Sequence, residues 1–346
     1  MKNALKILSI LLAIFLLGSF WSCSWRGDSI GEDDHIIVFA DSADWVYYQD
    51  ALNSVFGTLI KTPVLEREYI LEWKPFEHFE KFQNFKNIFI LGRLDSQAPV
   101  SNNVRQLLNE EIIEGVKSGK YFYIPKKEVW ALNQYVLILV ANSINDMIQK
   151  IHDLGDLMYD DFRQYYYARL KERMFSKMEQ VELEEYIRDH FPFSLRIQHD
   201  YFIADENFQE NYLWIRRLYP DRSILIHWEP LPANFELKPQ WIIEQRNRLA
   251  EMVFEGDIVV QDETRSFPTK FNKWSAIRLE GTWKNEKYLI GGPFRTVAFI
   301  DSVRNRIYML DFYVQAVGKR KKPFLDQLDI IIHTFSPLDS PLKDNA

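Results

Sequence analysis

The residue best placed to do chemistry is the single cysteine of the chain, Cys23. Lys2 and Lys6 precede an apolar run from Ile7 to Leu17, and Gly18-Ser19-Phe20-Trp21-Ser22 leads from that run to the thiol. A cationic start, a short apolar core and a small residue before the cut are the grammar of a cleaved export signal, and the run is too short for a stable bilayer span. A cysteine ending such a segment accepts a thioether-linked diacylglycerol, and cleavage behind Ser22 frees its amino group for a further acyl chain. The spacing predicts a lipoprotein signal peptide over 1–22 and a bacterial envelope protein held on its membrane through Cys23. Phe20 and Trp21 are bulky for this position, and an uncleaved anchor is the alternative. Acyl chains at about 0.8 kcal/mol per buried methylene suffice for anchoring without a spanning helix. A thiol committed to lipid leaves no disulfide and no thiol redox catalysis to expect.

The other reactive side chains form weaker patterns. His152, Asp156 and Asp160 stand at i, i+4 and i+8, so one helix face could offer a nitrogen and two carboxylates to a metal. Arg163, Asp153 and Asp161 among them suit a solvated charged face instead, and neither metal nor cofactor is expected. The remaining histidines are scattered, and no nucleophile elbow, Ser-x-x-Lys, phosphate loop or dinucleotide fingerprint is present. Catalytic residues are therefore not assigned, and a binding or assembly role is preferred to an enzyme. An envelope hydrolase acting on glycan or lipid, and a structural spacer, are the alternatives. A formal net charge of -7 with basic and acidic residues interleaved argues against nucleic acid as a partner.

Two stretches stand out as candidate binding elements. Gly281-Thr282-Trp283 and Gly291-Gly292-Pro293-Phe294 alternate glycines with large aromatics, which suits either a bulged hairpin with Trp283 and Phe294 in the core or an aromatic groove. Trp214, Arg216, Trp228, Trp283 and Phe294 are the candidate groove residues. Lys319-Arg320-Lys321-Lys322 sits just before a helix, where the dipole disfavours cations. Something negative must compensate: a bound anion, an acidic envelope protein or anionic lipid headgroups. A solvated loop is the plainer alternative.

These residues need a scaffold, and 47% hydrophobic content over 346 residues can bury one or two cores without disulfides. Residues 23–35, rich in Gly and Asp, read as a flexible tether. The acids at Asp28 and Glu32 to Asp34 lie farther from Cys23 than a usual surface-export signal, which points to the periplasmic side. Alternating strand-like and helix-like runs over 36–142 predict a layered α/β domain. Strands are expected at Ile36–Ala40, Tyr69–Trp73, Asn87–Leu91 and Tyr135–Val140, with one helix across Val104–Val116. Residues 143–189 lack strand signal and predict a helical connector broken near Gly155 or Ser176. Residues 193–336 predict an α+β domain, a mostly antiparallel sheet with helices on one face, and 337–346 a tail. Its strands are expected at Leu195–Ile203, Tyr212–Leu218, Ser223–Trp228, Ser275–Trp283, Tyr288–Ile290, Thr296–Ile300 and Arg306–Val314.

With Trp45 and its following helix, Phe85-Lys86-Asn87-Ile88-Phe89-Ile90, Gln134, Tyr212-Leu213-Trp214-Ile215-Arg216, the two glycine motifs and Lys319-Arg320 assembled, the chain resembles the uncharacterised Bacteroidota lipoproteins of domain-of-unknown-function family 4837. The resemblance covers most of the mature chain, and the glycine motifs are its specific part. Gln315-Ala316-Val317-Gly318 departs from the family's Tyr-Ala-Pro type of turn. The resemblance implies a lipoprotein and brings no catalytic residues with it.

Overall fold

The computed structural model describes residues 26–339. Its N-terminal half threads β1 (His35–Ala40), α1 (Ser42–Phe56), a small hairpin β2–β3 (Leu59–Ile60, Glu66–Arg67), β4 (Ile70–Lys74), α2 (Phe79–Phe82), β5 (Asn87–Arg93), α3 (Pro99–Leu107), α4 (Glu110–Lys117), β6 (Tyr123–Lys127) and β7 (Tyr135–Ala141). The sheet order is β4-β1-β5-β7-β6, parallel except for β6 at one edge. Every residue of β7 is buried, as a strand covered on both faces requires. Ile37, Phe39, Ile88 and Ile90 face Val100, Val104 and Val116 of α3 and α4, while Val38, Phe89, Leu137 and Leu139 face α1 together with Met147, Ile151 and Phe162 further along the chain. The expected single helix over 104–116 is broken because Asn109 caps a new one, its side chain accepting the Ile112 amide.

The expected connector divides into α5 (Ile144–Asp153), α6 (Gly155–Phe175) and α7 (Val181–His190), so the chain breaks at both anticipated places. It is not a spacer. Met158, Phe162, Tyr166 and Leu170 of α6 recur at i, i+4, i+8 and i+12 and form the inner layer against the parallel sheet.

The C-terminal half contains β8 (Phe193–Ser194), β9 (Phe202–Asn207), β10 (Tyr212–Arg217), β11 (Asp221–Pro230), α8 (Pro239–Val253), β12 (Ile258–Val259), β13 (Arg265–Phe271), β14 (Trp274–Asn285), β15 (Ile290–Asp301), β16 (Arg306–Gln315), α9 (Lys322–Ile332) and β17 (Ser336–Pro337). Its large sheet runs β12-β14-β15-β16-β11-β10-β9, antiparallel throughout, with β13 paired to β14. The α+β class stands. Three local readings do not: residues 195–200 are irregular rather than strand, Arg265–Phe271 is a strand that was not anticipated, and β15 runs unbroken through Gly291-Gly292. Gly291 and Gly292 sit in the ladder because a Cβ there would lie 2.6 Å from the Trp283 carbonyl and 2.1 Å from the Val314 carbonyl. Close backbone approach, not a turn, demands the glycines.

Helices cover both sheet faces, not one. α9 and α7 pack with Ile224, Ile226, Leu310 and Phe312, and that core is continuous with the one beneath α6. On the opposite face Ile242, Leu249 and Ala250 of α8 cover Leu225, Leu279, Ala298 and Met309. α8 is also fixed by a fully buried ion pair, Arg246 Nε to Asp311 Oδ1 at 3.0 Å, with Thr296 donating to the same carboxylate at 2.5 Å and the guanidinium 4.2 Å over Phe294. Replacing Asp311 by Ala strands a buried cation. The variant is expected to lose about 3–5 kcal/mol in a denaturant unfolding titration, far more than substitution of an exposed acid such as Glu236.

Candidate functional site

The tether expected over 23–35 is docked from Asp28 onward. Asp28 bridges to Leu132 and Ile30 to Phe85, so the segment crosses beneath the amino ends of the parallel strands. Asp33 meets Lys86 at 3.2 Å and Arg173 at 2.5 Å, and Asn87 donates to the Asp33 and His35 carbonyls at 2.7 and 2.8 Å. A Gly/Asp composition reads as solvated until partners are supplied from 50 to 140 residues away. Cys23 lies outside the described residues. At the other end, Leu338 and Asp339 of the expected tail are held by Arg306, at 2.8 and 2.9 Å through their carbonyls.

The basic run before α9 is not a free anion contact. Arg320 pairs with Asp34 and donates to the Arg67 carbonyl at 2.7 Å. The Lys321 amide donates to both Glu66 oxygens at 2.9 Å and the Lys322 amide to one at 3.1 Å, so Glu66 is the anion seated on the helix N-terminus. Lys322 is buried against Asp326 at 2.6 Å, its ammonium 4.2 and 4.5 Å from the Tyr69 and Tyr166 rings. Only Lys319 of the four is exposed and without an ion-pair partner among the described residues. The compensation demanded by the dipole comes from the chain itself, by contacts spanning more than 250 residues that no local pattern encodes.

The aromatic groove is also redistributed. Trp228 packs edge-on to Phe191 and Phe193 in the core shared with α9, whereas Phe294 lies under Arg246 on the other face. Trp214, Arg216 and Trp283 do converge, around a small cavity of about 150 Å³ with Phe254, Asp257 and Tyr313. Asp257 is buried there and accepts from Asn285 at 2.8 Å; burial outweighs that bond and pushes its carboxyl up to about 6.

His152 and Asp156 flank the break at Leu154–Gly155 and border a shallow depression with Glu68, while Asp160 faces a different cleft. Among the described residues no three His, Cys, Asp or Glu side chains are grouped so as to hold a metal.

That different cleft, about 650 Å³, lies between α6 and the C-terminal half. Asp160, Arg163, Gln164, Tyr167 and Lys171 repeat at helical spacing along the outer face of α6, opposite the face that packs in the core. Lys270 of β13 and Arg278 of β14 form the facing wall, with Asp329 of α9 and His333, which ends that helix, at the floor. Arg278 donates to Asp329 at 2.9 Å and to Glu280 at 2.8 Å, and Arg295 pairs with the same two acids from behind. Burial alone would raise the Asp329 carboxyl, yet Arg278 and Arg295 hold it well below the usual carboxylate range. The floor network is thus internally balanced. Arg163, Lys171 and Lys270 are not: among the described residues none has an ion-pair or hydrogen-bond partner, and Arg163 only lies 5.0 Å over the Tyr167 ring. Asp160 is the single exposed acid among the lining residues. Sequence reasoning missed this site because Lys270 stands about a hundred residues from Arg163 and Lys171, and the three become a cluster only when β13 folds against α6.

Comparison with known proteins divides the chain at the α6–α7 break. Residues 180–334 match the family model DUF4837, a domain of unknown function. The resemblance read from the sequence is therefore shown for the C-terminal half. Residues 29–175 match a second model, DUF8532, also a domain of unknown function, so the first family does not extend over most of the chain. No curated protein matches. Among solved structures, LpqN of Mycobacterium tuberculosis, described as involved in cell envelope biogenesis, is 12% identical over 42% of this chain and 82% of its own, at a TM-score of 0.29. The Saccharomyces cerevisiae Ran-binding protein Mog1p is 8% identical over 44% and 94%, at 0.30. No described helix is long and apolar enough to cross a membrane.

Two measurements follow from this geometry. Glu66→Gln leaves the α9 N-terminus and Lys321 without their anion, and unfolding by urea is expected to show a loss of about 1–3 kcal/mol. Asp257 has its ordinary value near 3.8 raised to about 6 in the fold. Its contribution is therefore complete below pH 4 and is lost as pH rises through 6. Asp257→Asn should melt on the order of 2–4 °C above the wild type at pH 8, with that gain shrinking or reversing at pH 4.

Proposed function

We propose that this protein is a lipid-anchored, periplasm-facing component of the bacterial envelope that binds an anionic group of another envelope component in the cleft between its halves, without catalysing a reaction. The leader ending at Cys23 supports the location. The cleft supports the binding role, through one observation: three cations from two halves, Arg163, Lys171 and Lys270, unpaired among the described residues, converge on a cavity of about 650 Å³ in a chain whose net charge is -7.

In such a protein a local positive field is an arrangement against the background. Concave, low-dielectric walls focus that field and favour phosphate or carboxylate over water. Arg163 offers a planar fork for bidentate contact, and the two lysines offer mobile point charges that adapt to the ligand's outline. The balanced Arg278–Asp329–Arg295–Glu280 network holds the floor rigid beneath them. Nothing in the cleft pairs a nucleophile with a base, which is why binding rather than turnover is the better-supported reading over an envelope hydrolase. A pure spacer would have no reason to leave cations unpaired in a cavity.

Two experiments test the reading. Metabolic labelling with a palmitate analogue should mark the wild type and not Cys23→Ala, and the variant should leave the membrane fraction; a labelled Cys23→Ala would end the anchor assignment. Titration calorimetry with tripolyphosphate and with oligogalacturonate should give saturable, salt-weakened binding of at least one of them, reduced tenfold or more in Arg163→Glu/Lys171→Glu. Equal affinity in the charge-reversed variant, or no binding of either probe, would overturn the cleft as the site.

A further inference from the structure

Among the described residues, five hairpins join strands of the large antiparallel sheet, and each turns through one residue in the left-handed backbone region. At one end of the sheet that residue is Asn211, Asn272 or Asn305. Asparagine is the ordinary alternative to glycine there, because its short polar side chain bonds locally and tolerates a positive φ. At the opposite end the position is held by Tyr219, at φ 60°, and Leu289, at φ 53°, large side chains that this conformation disfavours. Both are bare, Tyr219 93% and Leu289 89% exposed. Between their hairpins runs the loop from β16 to α9, whose Val317 is also 89% exposed.

The ladders set these three tips at one height. Phe294 stands opposite Tyr313 and Asp221 opposite Gln315, so continuing both registers past the strand ends brings Ile290, next to Leu289, level with Val317 and Tyr219. With neighbouring strands about 4.8 Å apart, the tips span roughly 14 Å. A single exposed apolar residue needs no explanation. Three level ones, two of them where the other hairpins place asparagine, form a surface kept apolar at a cost in backbone strain, as contact sites are. Charge fits the same purpose. Lys287 pairs with Glu255 at 2.6 Å and Glu286 with Lys284 at 2.6 Å, which leaves exposed Lys319, beside this apolar row, as the unmatched charge of the three loops.

Two observations identify what covers this end. Three side chains, none larger than the roughly 150–250 Å² of an aromatic, expose less than the about 800 Å² that each partner of a stable protein pair buries. A bilayer demands no such area and no shape complementarity, and it accepts tyrosine at the headgroup level with aliphatic tips just below. The second observation is the place of the leader. Arg320, next to Lys319, holds Asp34, and Cys23 precedes Asp34 by eleven residues, so even a fully extended chain keeps the cysteine within about 40 Å of that contact.

We propose that Tyr219, Leu289 and Val317 dock this end of the C-terminal sheet shallowly onto the membrane that holds the protein, with Lys319 on an anionic headgroup. The proposal rests on the anchor reading of Cys23 and uses no residue of the anionic cleft.

The single native cysteine makes the contact measurable, because with Cys23 acylated an introduced cysteine is the only thiol. Tyr219→Cys, Leu289→Cys and Val317→Cys in the full-length lipidated protein are each labelled with a polarity-sensitive fluorophore and reconstituted into phosphatidylethanolamine–phosphatidylglycerol vesicles. Val303→Cys, 87% exposed in the β15–β16 hairpin at the other end of the sheet, is the reference. Labels at the three tips should shift their emission to the blue, lose threefold or more of their quenching by aqueous iodide and be quenched by nitroxide-labelled lipid, while the label at position 303 behaves as in water. Tips quenched by iodide as readily as position 303 would overturn the proposal. So would tips shielded from iodide but untouched by nitroxide lipid, which would place them against protein, a second copy included. Palmitate labelling separates the two readings: an unacylated Cys23 ends the anchor and this proposal with it, whereas tips left in water on an acylated protein overturn the docking alone.

Discussion

The arrangement of the whole molecule depends on one buried cation. Lys322, the first residue of α9, lies between the rings of Tyr69 and Tyr166 and against Asp326, with both charges withdrawn from water. Asp326 also accepts from Tyr166 at 2.6 Å and from Tyr167 at 3.0 Å. Three separate parts of the chain meet there: the entry to β4, the middle of α6 and the start of α9. Desolvating an ion pair is expensive, and a pair this dry holds only where further hydrogen bonds and ring faces replace the lost hydration. All of these partners must be in place together, so the node makes the docking of the two halves specific rather than merely greasy. Glu66 and Asp34 extend it outward by taking the α9 amides, Lys321 and Arg320.

This arrangement explains why the halves, each matched by its own family model, do not behave as beads on a string. α6 carries the junction on one side and the cleft on the other. Phe162, Tyr166 and Leu170 bury into the shared core, while Arg163, Tyr167 and Lys171, one step around the helix, look across to β13 and α9. A helix pinned through Tyr166 cannot rotate to exchange those faces. The cleft is therefore built on rigid elements, as a binding constellation requires. The second cavity, beyond the sheet, is held by a different device: the buried Arg246–Asp311 pair fixes α8, and Phe254 and Asp257 follow directly from that helix.

Most of the architecture is legible in the sequence where hydrophobic periodicity is strong. Tyr135–Ala141 and Arg306–Gln315 are near-continuous apolar runs, and the helix opened by Pro323 shows its inner face in Phe324, Leu325, Leu328, Ile331 and Ile332. Legibility fails where glycine or charge dominates. Gly291-Gly292 looks like a turn, although two carbonyls crowd the ladder and leave no room for a Cβ. Asp41 sits at the N-cap of α1 without capping it by its side chain, because its carboxylate accepts from Val100 and Ser101 at the start of α3. Lys319 to Lys322 look like a patch seeking an external anion, and the anions are Asp34, Glu66 and Asp326.

By itself the sequence determined the α+β class, the positions of the strongly periodic strands and helices, and the absence of any local catalytic motif. Each of these is written in contiguous residues, through hydrophobic spacing or a short chemical grammar. The tertiary structure alone decided which charges are spent and which remain. An isolated lysine or aspartate carries no mark of its partner, and pairing energies are set by distance and dehydration, which are properties of the fold. That is why a run of four basic residues proves to be mostly mortar, while Arg163, Lys171 and Lys270, which stand apart in the sequence, keep their charges unpaired among the described residues.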